Sequence, residues 1–381
     1  MKNVNTFSRV LTDEEIENFG KELEVIRTEI QSKVGQEDAD YIRNVYNVMR
    51  YNEIMGRLLI HFSVDPVTFA IGTGMLGISK ILNNMEVGHN VLHGQYDFMN
   101  DPELNSRTFD WDHSCDSDQW KFYHNYMHHT YTNIVGKDYD FGYGFIRLSE
   151  DQKWKPLHLL QSVANVFLCL GFEWGVGSHG PNVKFLETPR KQRNRNTKKE
   201  LNDVYYKKME RQLFKDYVLF PLLGGIMAPK IMLGNFMANI MRNVWTYAII
   251  FCGHFTEHTE TFPVETLENE TKAEWYLRQL KGSSNLEGSR LFYILSGHLS
   301  HQIEHHMFPE LPANRYEEIA PRLKALCEKY GQYYNNGSFL SQFGSVVKRI
   351  IAYSFPDETA RKFTKKSPKG AGAKVLKERA A

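Results

Sequence analysis

Histidine spacing is the strongest constraint on this chain. Of its 381 residues 15 are histidine, and four pairs stand four residues apart. They are His89 and His93 in GHNVLHGQYDF, His124 and His128 in HNYMHH, His254 and His258 in GHFTEH, and His301 and His305 in HQIEHH. Chance would give that spacing about 0.6 times in a chain of this composition. The longer form, with a further histidine directly after the pair, is expected about 0.02 times. It occurs twice, adding His129 and His306.

On an α-helix, residues four apart lie about 40° apart around the axis, so both imidazoles of a pair can reach one ion. The extra histidine is turned about 100° further, a geometry suited to two ions. Imidazole nitrogen suits iron, zinc, copper or nickel, whereas magnesium and calcium prefer oxygen. The spacing leaves the choice of metal open. Asp97, Asp138, Asp140, Glu257 and Glu304 stand beside the boxes, and such carboxylates commonly accept a hydrogen bond from the distal nitrogen of a ligand histidine. His61, His113, His158 and His179 lie outside the pattern and read as core or surface residues, while His298 lies close to the last box.

The rest of the chain reads as helical. Residues 12–60 are charged and helix-prone, and Thr12 followed by Glu15 has the spacing of a capping box. RLLIHFSVDPVTFAIGTGMLGISKIL is apolar but broken at Asp65-Pro66, and the apolar stretch from Asp216 is broken at Pro229-Lys230. Both read as helical hairpins, over residues 57–82 and 216–253. Neither leg of the first hairpin reaches the roughly 20 apolar residues of a comfortable span, so burial in a soluble core competes with a membrane reading. LHLLQSVANVFLCLGFEWGVGSHG, residues 157–180, has the mixed character of an interfacial segment. If both hairpins dip into a bilayer and return, the remaining segments share one face bearing nearly all Lys and Arg, as cytoplasmic segments do. The expected fold class is all-α: integral membrane helical hairpins beneath a cytoplasmic, histidine-rich helical cap. The expected division is an N-terminal helical segment 1–56, a main domain 57–350 and a basic, disordered tail 351–381.

A formal net charge of +1 argues against a general nucleic-acid binder. Basic residues nevertheless concentrate between Lys184 and Lys215 and again after Arg361, where solvated segments or contact with anionic lipid and phosphate are the expectations. Four cysteines without paired spacing give no disulfide framework and no iron-sulfur or zinc-ribbon site, which fits a reducing compartment. The first residues carry no apolar signal-peptide core, so export is not expected.

Over roughly residues 57–330, the three boxes GHNVLHGQYDF, HNYMHH and HQIEHHMFPELP and the distances between them resemble the membrane fatty acid desaturases. NMEVGHNVLHGQYDFMNDP and HNYMHHTYTNIVGKDYDFGYG look most like the bacterial acyl-CoA desaturases that act at carbon 9, and QIEHHMFPELP is also similar to front-end desaturases. The resemblance implies two irons held by His89, His93, His124, His128, His129, His258, His305 and His306, with His301 or Gln302 completing the third box. His254 holds a place where the family can use an asparagine acting through water. Box two is one residue longer than the family's common spacing, which bears on the role of His124. The resemblance further implies an acyl-CoA substrate, possibly a lipid-linked acyl group, with dioxygen as co-substrate and the bacterial inner membrane as location, the boxes facing the cytoplasm. No dinucleotide fingerprint, cysteine cluster or haem-binding segment is visible. Electrons are therefore expected from a separate NAD(P)H-dependent reductase or ferredoxin-type donor.

Other readings share some of these motifs. A front-end or acyl-lipid desaturase, or a related di-iron lipid hydroxylase, would use the same centre. HFTEH and HQIEH fit the His-x-x-Glu-His pattern of zinc hydrolases, but one such site needs only three protein ligands. A metal-storage protein would bind the ions without consuming oxygen. The carboxylate-bridged di-iron class needs two Glu-x-x-His motifs, and only Glu86 with His89 is present.

Overall fold

A computed structural model describes residues 8–363, and these are mostly helical. Most of the expected basic tail therefore lies outside the described residues. Its described beginning includes the helical segment Asp357–Phe363.

Helix α1 (Asp13–Gln31) starts at the expected capping box: Oγ1 of Thr12 accepts from the Glu15 amide, and the Glu15 carboxylate accepts from the Thr12 amide. Its buried face, including Phe19, Leu23, Ile26 and Ile30, joins Tyr276, Leu280 and neighbours in a core beneath the third box.

The first hairpin is longer than the apolar pattern implies. Helix α2 (Gln36–Phe62) supplies a largely charged leg that runs through the expected boundary at residue 56, and α3 (Pro66–Leu82) returns along it. The turn is set by Asp65, whose carboxylate accepts from the amides of Val67 and Thr68 at 2.9 Å, with Pro66 opening the helix. The two legs approach closely because Gly56 and Gly72 face each other's helices. A Cβ at Gly56 would stand 2.7 Å from the Leu76 amide nitrogen, and one at Gly72 would stand 2.7 Å from Cβ of Leu59.

The bent pair α4 (Gln161–Leu170) and α5 (Phe172–Glu187) comes next, followed by the second hairpin. Helix α6 (Arg195–Phe214) continues through Lys215–Leu219 and Phe220–Leu223, the chain reverses at Gly224–Met227, and α7 (Ala228–His254) returns. The reversal thus precedes the Pro229-Lys230 break, because Pro229 starts α7 rather than ending a helix. The two tips touch: Nζ of Lys230 donates to the Ser63 carbonyl at 2.6 Å. Val64 and Ile226 at these tips are 95% and 94% exposed, with Phe62, Leu222 and Leu223 beside them. Between the hairpins, buried Lys80 pairs with Asp216 at 2.8 Å and Asp112 at 3.0 Å, and buried Arg242 pairs with Glu173.

Among the described residues, no single helix is long and apolar enough to cross a membrane. The pair Pro156–Leu170 and Phe172–Glu187, bent by 101°, meets that test only as a pair. It coincides with the segment expected at an interface, and Val163 and Phe167 are exposed on it.

Helices α8 (Lys272–Gly282), α9 (Gln302–Met307), α10 (Tyr316–Lys329) and α11 (Phe339–Tyr353) complete the cap. A short parallel pair, Asn285–Glu287 with Asn336–Ser338, joins the segment before the third box to the start of α11.

Candidate metal centre

The first box and His254 lie at the ends of hairpin helices, and the second and third boxes lie on short helical segments outside them. Beyond α3 the chain widens into a π-helical turn, Asn83–His89, which presents His89 and, after Asn90–Leu92, His93. A second π-helical stretch, Lys121–His128, carries box two. π-Turns are rare and gather at functional sites. His254 is the last residue of α7, and α9 carries Gln302, His305 and His306.

These segments converge. Histidines 89, 93, 124 and 305 form one group of potential ligand atoms lying within 4.8 Å of one another, and His128, His254 and His306 form another. The Nε2 atoms of His89 and His305 are 3.1 Å apart, and those of His128 and His254 are 3.3 Å apart. Two imidazoles sharing an ion at about 2.0–2.1 Å would place their nitrogens roughly 3.0–3.4 Å apart. The Gln302 amide lies 2.9 Å from Nε2 of His254, which puts Gln302 in the second group. His129 bridges the two groups, stacking on His306 at 4.3 Å between centroids and lying 4.7 Å from His93.

In five of the rings the far nitrogen, Nδ1, is held by protein oxygen. Nδ1 of His128 meets both oxygens of Asp138 at 3.0 Å, and Nδ1 of His124 meets Asp140 at 3.3 Å. His254 uses the Gly282 carbonyl at 3.1 Å, His305 the Tyr316 hydroxyl at 3.2 Å, and His306 the Gln279 side-chain oxygen at 3.1 Å. Such bonds fix the ring and direct Nε2 at the ion. Among the described residues, Nε2 of His93, His124 and His306, both nitrogens of His129 and Oε1 of Gln302 are buried without a hydrogen-bond partner. Buried polar atoms are rarely left so, and as donor atoms in these groups they fit a site that could hold metal.

Protonation agrees with this. Burial first, and neighbouring imidazoles second, push His89, His93, His129, His254, His305 and His306 well below the ordinary histidine value. Neutral imidazole is the metal-binding form. Burial also lowers His128, but Asp138 overcomes it and raises the net value. For Asp140, burial acts upward, yet His124 and His179 outweigh it and hold the carboxyl well below its usual range.

Two box histidines stand elsewhere, for a backbone reason. The helix ends at His254 and Phe255 leaves helical geometry, so His258 does not share its face; its ring lies 5.5 Å from Tyr333. His301 closes a 3₁₀ turn after left-handed His298 and is itself non-helical, so it does not share a face with His305; its ring lies 4.6 Å from Tyr293. Of the candidate carboxylates, Asp138 and Asp140 meet ring nitrogens. Asp97 accepts from Ser106, Glu257 lies 3.7 Å from Lys348, and buried Glu304 binds Tyr334 and Asn285. The two His-x-x-Glu-His patterns thus assemble no hydrolase site, since neither pair shares a cluster.

Tyr316, Gln279 and Trp120, which stacks on His124 at 4.4 Å, carried no spacing signal in the sequence. His298 pairs with buried Glu86 at 2.9 Å and with Glu317 at 3.4 Å, in a site separate from the two clusters.

The family model for fatty acid desaturases matches residues 66–338. The chain is 42% identical over 355 residues to a protein named NADPH-dependent stearoyl-CoA 9-desaturase in two strains of Mycobacterium tuberculosis, covering 92% of this chain and 83% of the relative. It is 26% identical over 285 residues to a Synechocystis protein named sn-1 linoleoyl-lipid 6-desaturase, covering 71% of this chain and 76% of that one. With the family match spanning most of the chain and carrying the boxes that form both clusters, the chain belongs to the fatty acid desaturase family.

Proposed function

We propose that this desaturase acts on a saturated acyl-CoA and inserts a cis double bond at carbon 9. The observation that carries the chemistry is the pair of buried imidazole clusters bridged by His129. The substrate and bond position rest on the similarity to the mycobacterial relative, whose name specifies both.

One iron would be held by His89, His93, His124 and His305, the other by His128, His254, His306 and the Gln302 amide, with His129 between them. When bound, iron supplies the dioxygen-dependent oxidation that removes two hydrogens from an unactivated methylene pair. The balance is one O₂, two external electrons and two protons consumed, with two waters and the alkene formed. The protein's own task is positional. Asp138, Asp140, Gly282, Gln279 and Tyr316 hold the rings, and close burial keeps bulk water from the oxidising site.

The electrons come from a separate NAD(P)H-dependent reductase or ferredoxin-type protein, a reading supported by the words NADPH-dependent in the relative's name. The exposed apolar tips around Val64 and Ile226 support insertion of the hairpins into the inner membrane, with the clusters on the cytoplasmic side.

The test is expression in a host that lacks a desaturase for its saturated acyl-CoA pool, with new double bonds located by mass spectrometry. A cis double bond at carbon 9 is expected. A hydroxylated product, or a double bond at carbon 6 made only on intact lipid, would contradict the assignment.

A further inference from the structure

Resting on the reading of the clusters as a metal centre, we propose that His179 is a positioning residue of that centre, holding the Asp140 carboxylate against His124. His179 lies on α5, outside every histidine box. Its Nε2 stands 3.3 Å from Oδ1 of Asp140, within ion-pair distance, and among the described residues neither atom has a hydrogen-bond partner, so the two buried polar atoms have each other as polar contact. Both side chains are about nine-tenths buried, at 11% and 10% exposed. The other Asp140 oxygen stands 3.3 Å from Nδ1 of His124. The three side chains form a line from α5 to the first cluster.

That line has a physical purpose. A buried carboxylate held through one oxygen can turn about its bond to Cβ and leave the imidazole it orients. A second polar group against the far oxygen, here Nε2 of His179 at 3.3 Å, limits that freedom. With Asp140 fixed, the proton of neutral His124 stays on Nδ1 and its lone pair on Nε2 faces the cluster.

The neighbouring contacts extend the support to both clusters. The Asp140 amide donates to Oδ1 of Asp138 at 3.0 Å, and Asp138 holds His128 in the second group. Between them, the Tyr139 hydroxyl donates to Glu187 at the end of α5 at 2.6 Å. The loop that orients one histidine of each cluster is therefore tied to α5 at two places, His179 and Glu187. The rings of Tyr123 and Tyr143 enclose His179 at 5.3 and 5.4 Å, which fixes the direction of its Nε2.

The experiment loads metal-free, full-length protein in detergent with Co²⁺. It reads apparent affinity by chelator competition and ligand geometry by the visible Co²⁺ absorption. His179→Phe keeps an aromatic ring and removes the donor, whereas His179→Gln keeps a nitrogen donor at similar reach. Weakening of Co²⁺ binding by about 10- to 100-fold with an altered spectrum is expected for His179→Phe, with recovery toward wild type for His179→Gln. In a background of Asp140→Asn, His179→Phe should add little, because it acts through Asp140. Equal binding by wild type and His179→Phe would overturn the proposal. So would equal losses in the Phe and Gln variants, or full additivity with Asp140→Asn, each of which would reduce His179 to packing. A wild-type protein that binds no Co²⁺ would instead overturn the metal-centre reading beneath it.

Discussion

Nε2 of His89 lies 3.1 Å from Nε2 of His305, although 216 residues separate them in the chain. One follows the first hairpin and the other sits in a short cap helix, so this contact requires the hairpins, the cap and the third box to be assembled together. The site is a product of the whole fold, and changes at single ligands should be read with metal content beside activity.

The third box offers the sharpest substitution. Gln302 has its amide 2.9 Å from His254, while His301 packs on Tyr293. Gln302→Ala and His305→Ala should lose iron and desaturation, whereas His301→Ala should retain iron and partial activity. Gln302→His should be tolerated, imidazole being the stronger ligand. Loss of iron in His301→Ala with a neutral Gln302→Ala would move the ligand by one residue.

Glu257 and Glu304 separate this account from a zinc hydrolase. Burial raises Glu304 to about 7 despite its bonds to Tyr334 and Asn285, and neither carboxylate meets a cluster histidine. Glu257→Gln should leave desaturation near wild type. Glu304→Gln should keep its iron and cost about 1–3 kcal/mol of stability through one mismatched buried hydrogen bond. A variant of either residue that abolished a peptide or ester hydrolysis present in the wild type would favour the hydrolase.

His298 gives a pH dependence apart from the clusters. Burial would lower it, but Glu86 and Glu317 raise it to about 9, with Tyr41 and His301 packed beside it. A folded value above the unfolded one of about 6.5 means stability that is complete below that pH and lost as pH rises toward 9. The shift corresponds to about 3 kcal/mol. Thermal unfolding in detergent should show the wild-type midpoint falling between pH 6.5 and 9.5, and a smaller fall for His298→Gln. Parallel falls would remove His298 as the cause.

The sequence carried the site further than the fold. Spacing singled out His89, His93, His124, His128, His129, His305 and His306, because a four-residue period survives wherever the backbone stays helical. It equally singled out His254, which joins the second group, and His258 and His301, which stand outside both groups where the helix stops at Phe255 or has not yet begun. The hairpins were found by their apolar legs, but the charged leg Gln36–Phe62 was not, since hydropathy cannot show that a polar helix packs along an apolar one. Tyr316 and Gln279 reach cluster rings, and His179 reaches Asp140, from remote elements that leave no local pattern. Only the fold brings them together.

Metal analysis of the purified full-length protein tests the central claim most directly. Two adjoining clusters of converging nitrogens, linked through His124, His128 and Asp140, predict about two irons per chain, falling together with desaturase activity on chelation and returning with ferrous iron. Stoichiometric zinc with negligible iron, in protein that still desaturates, would contradict the account.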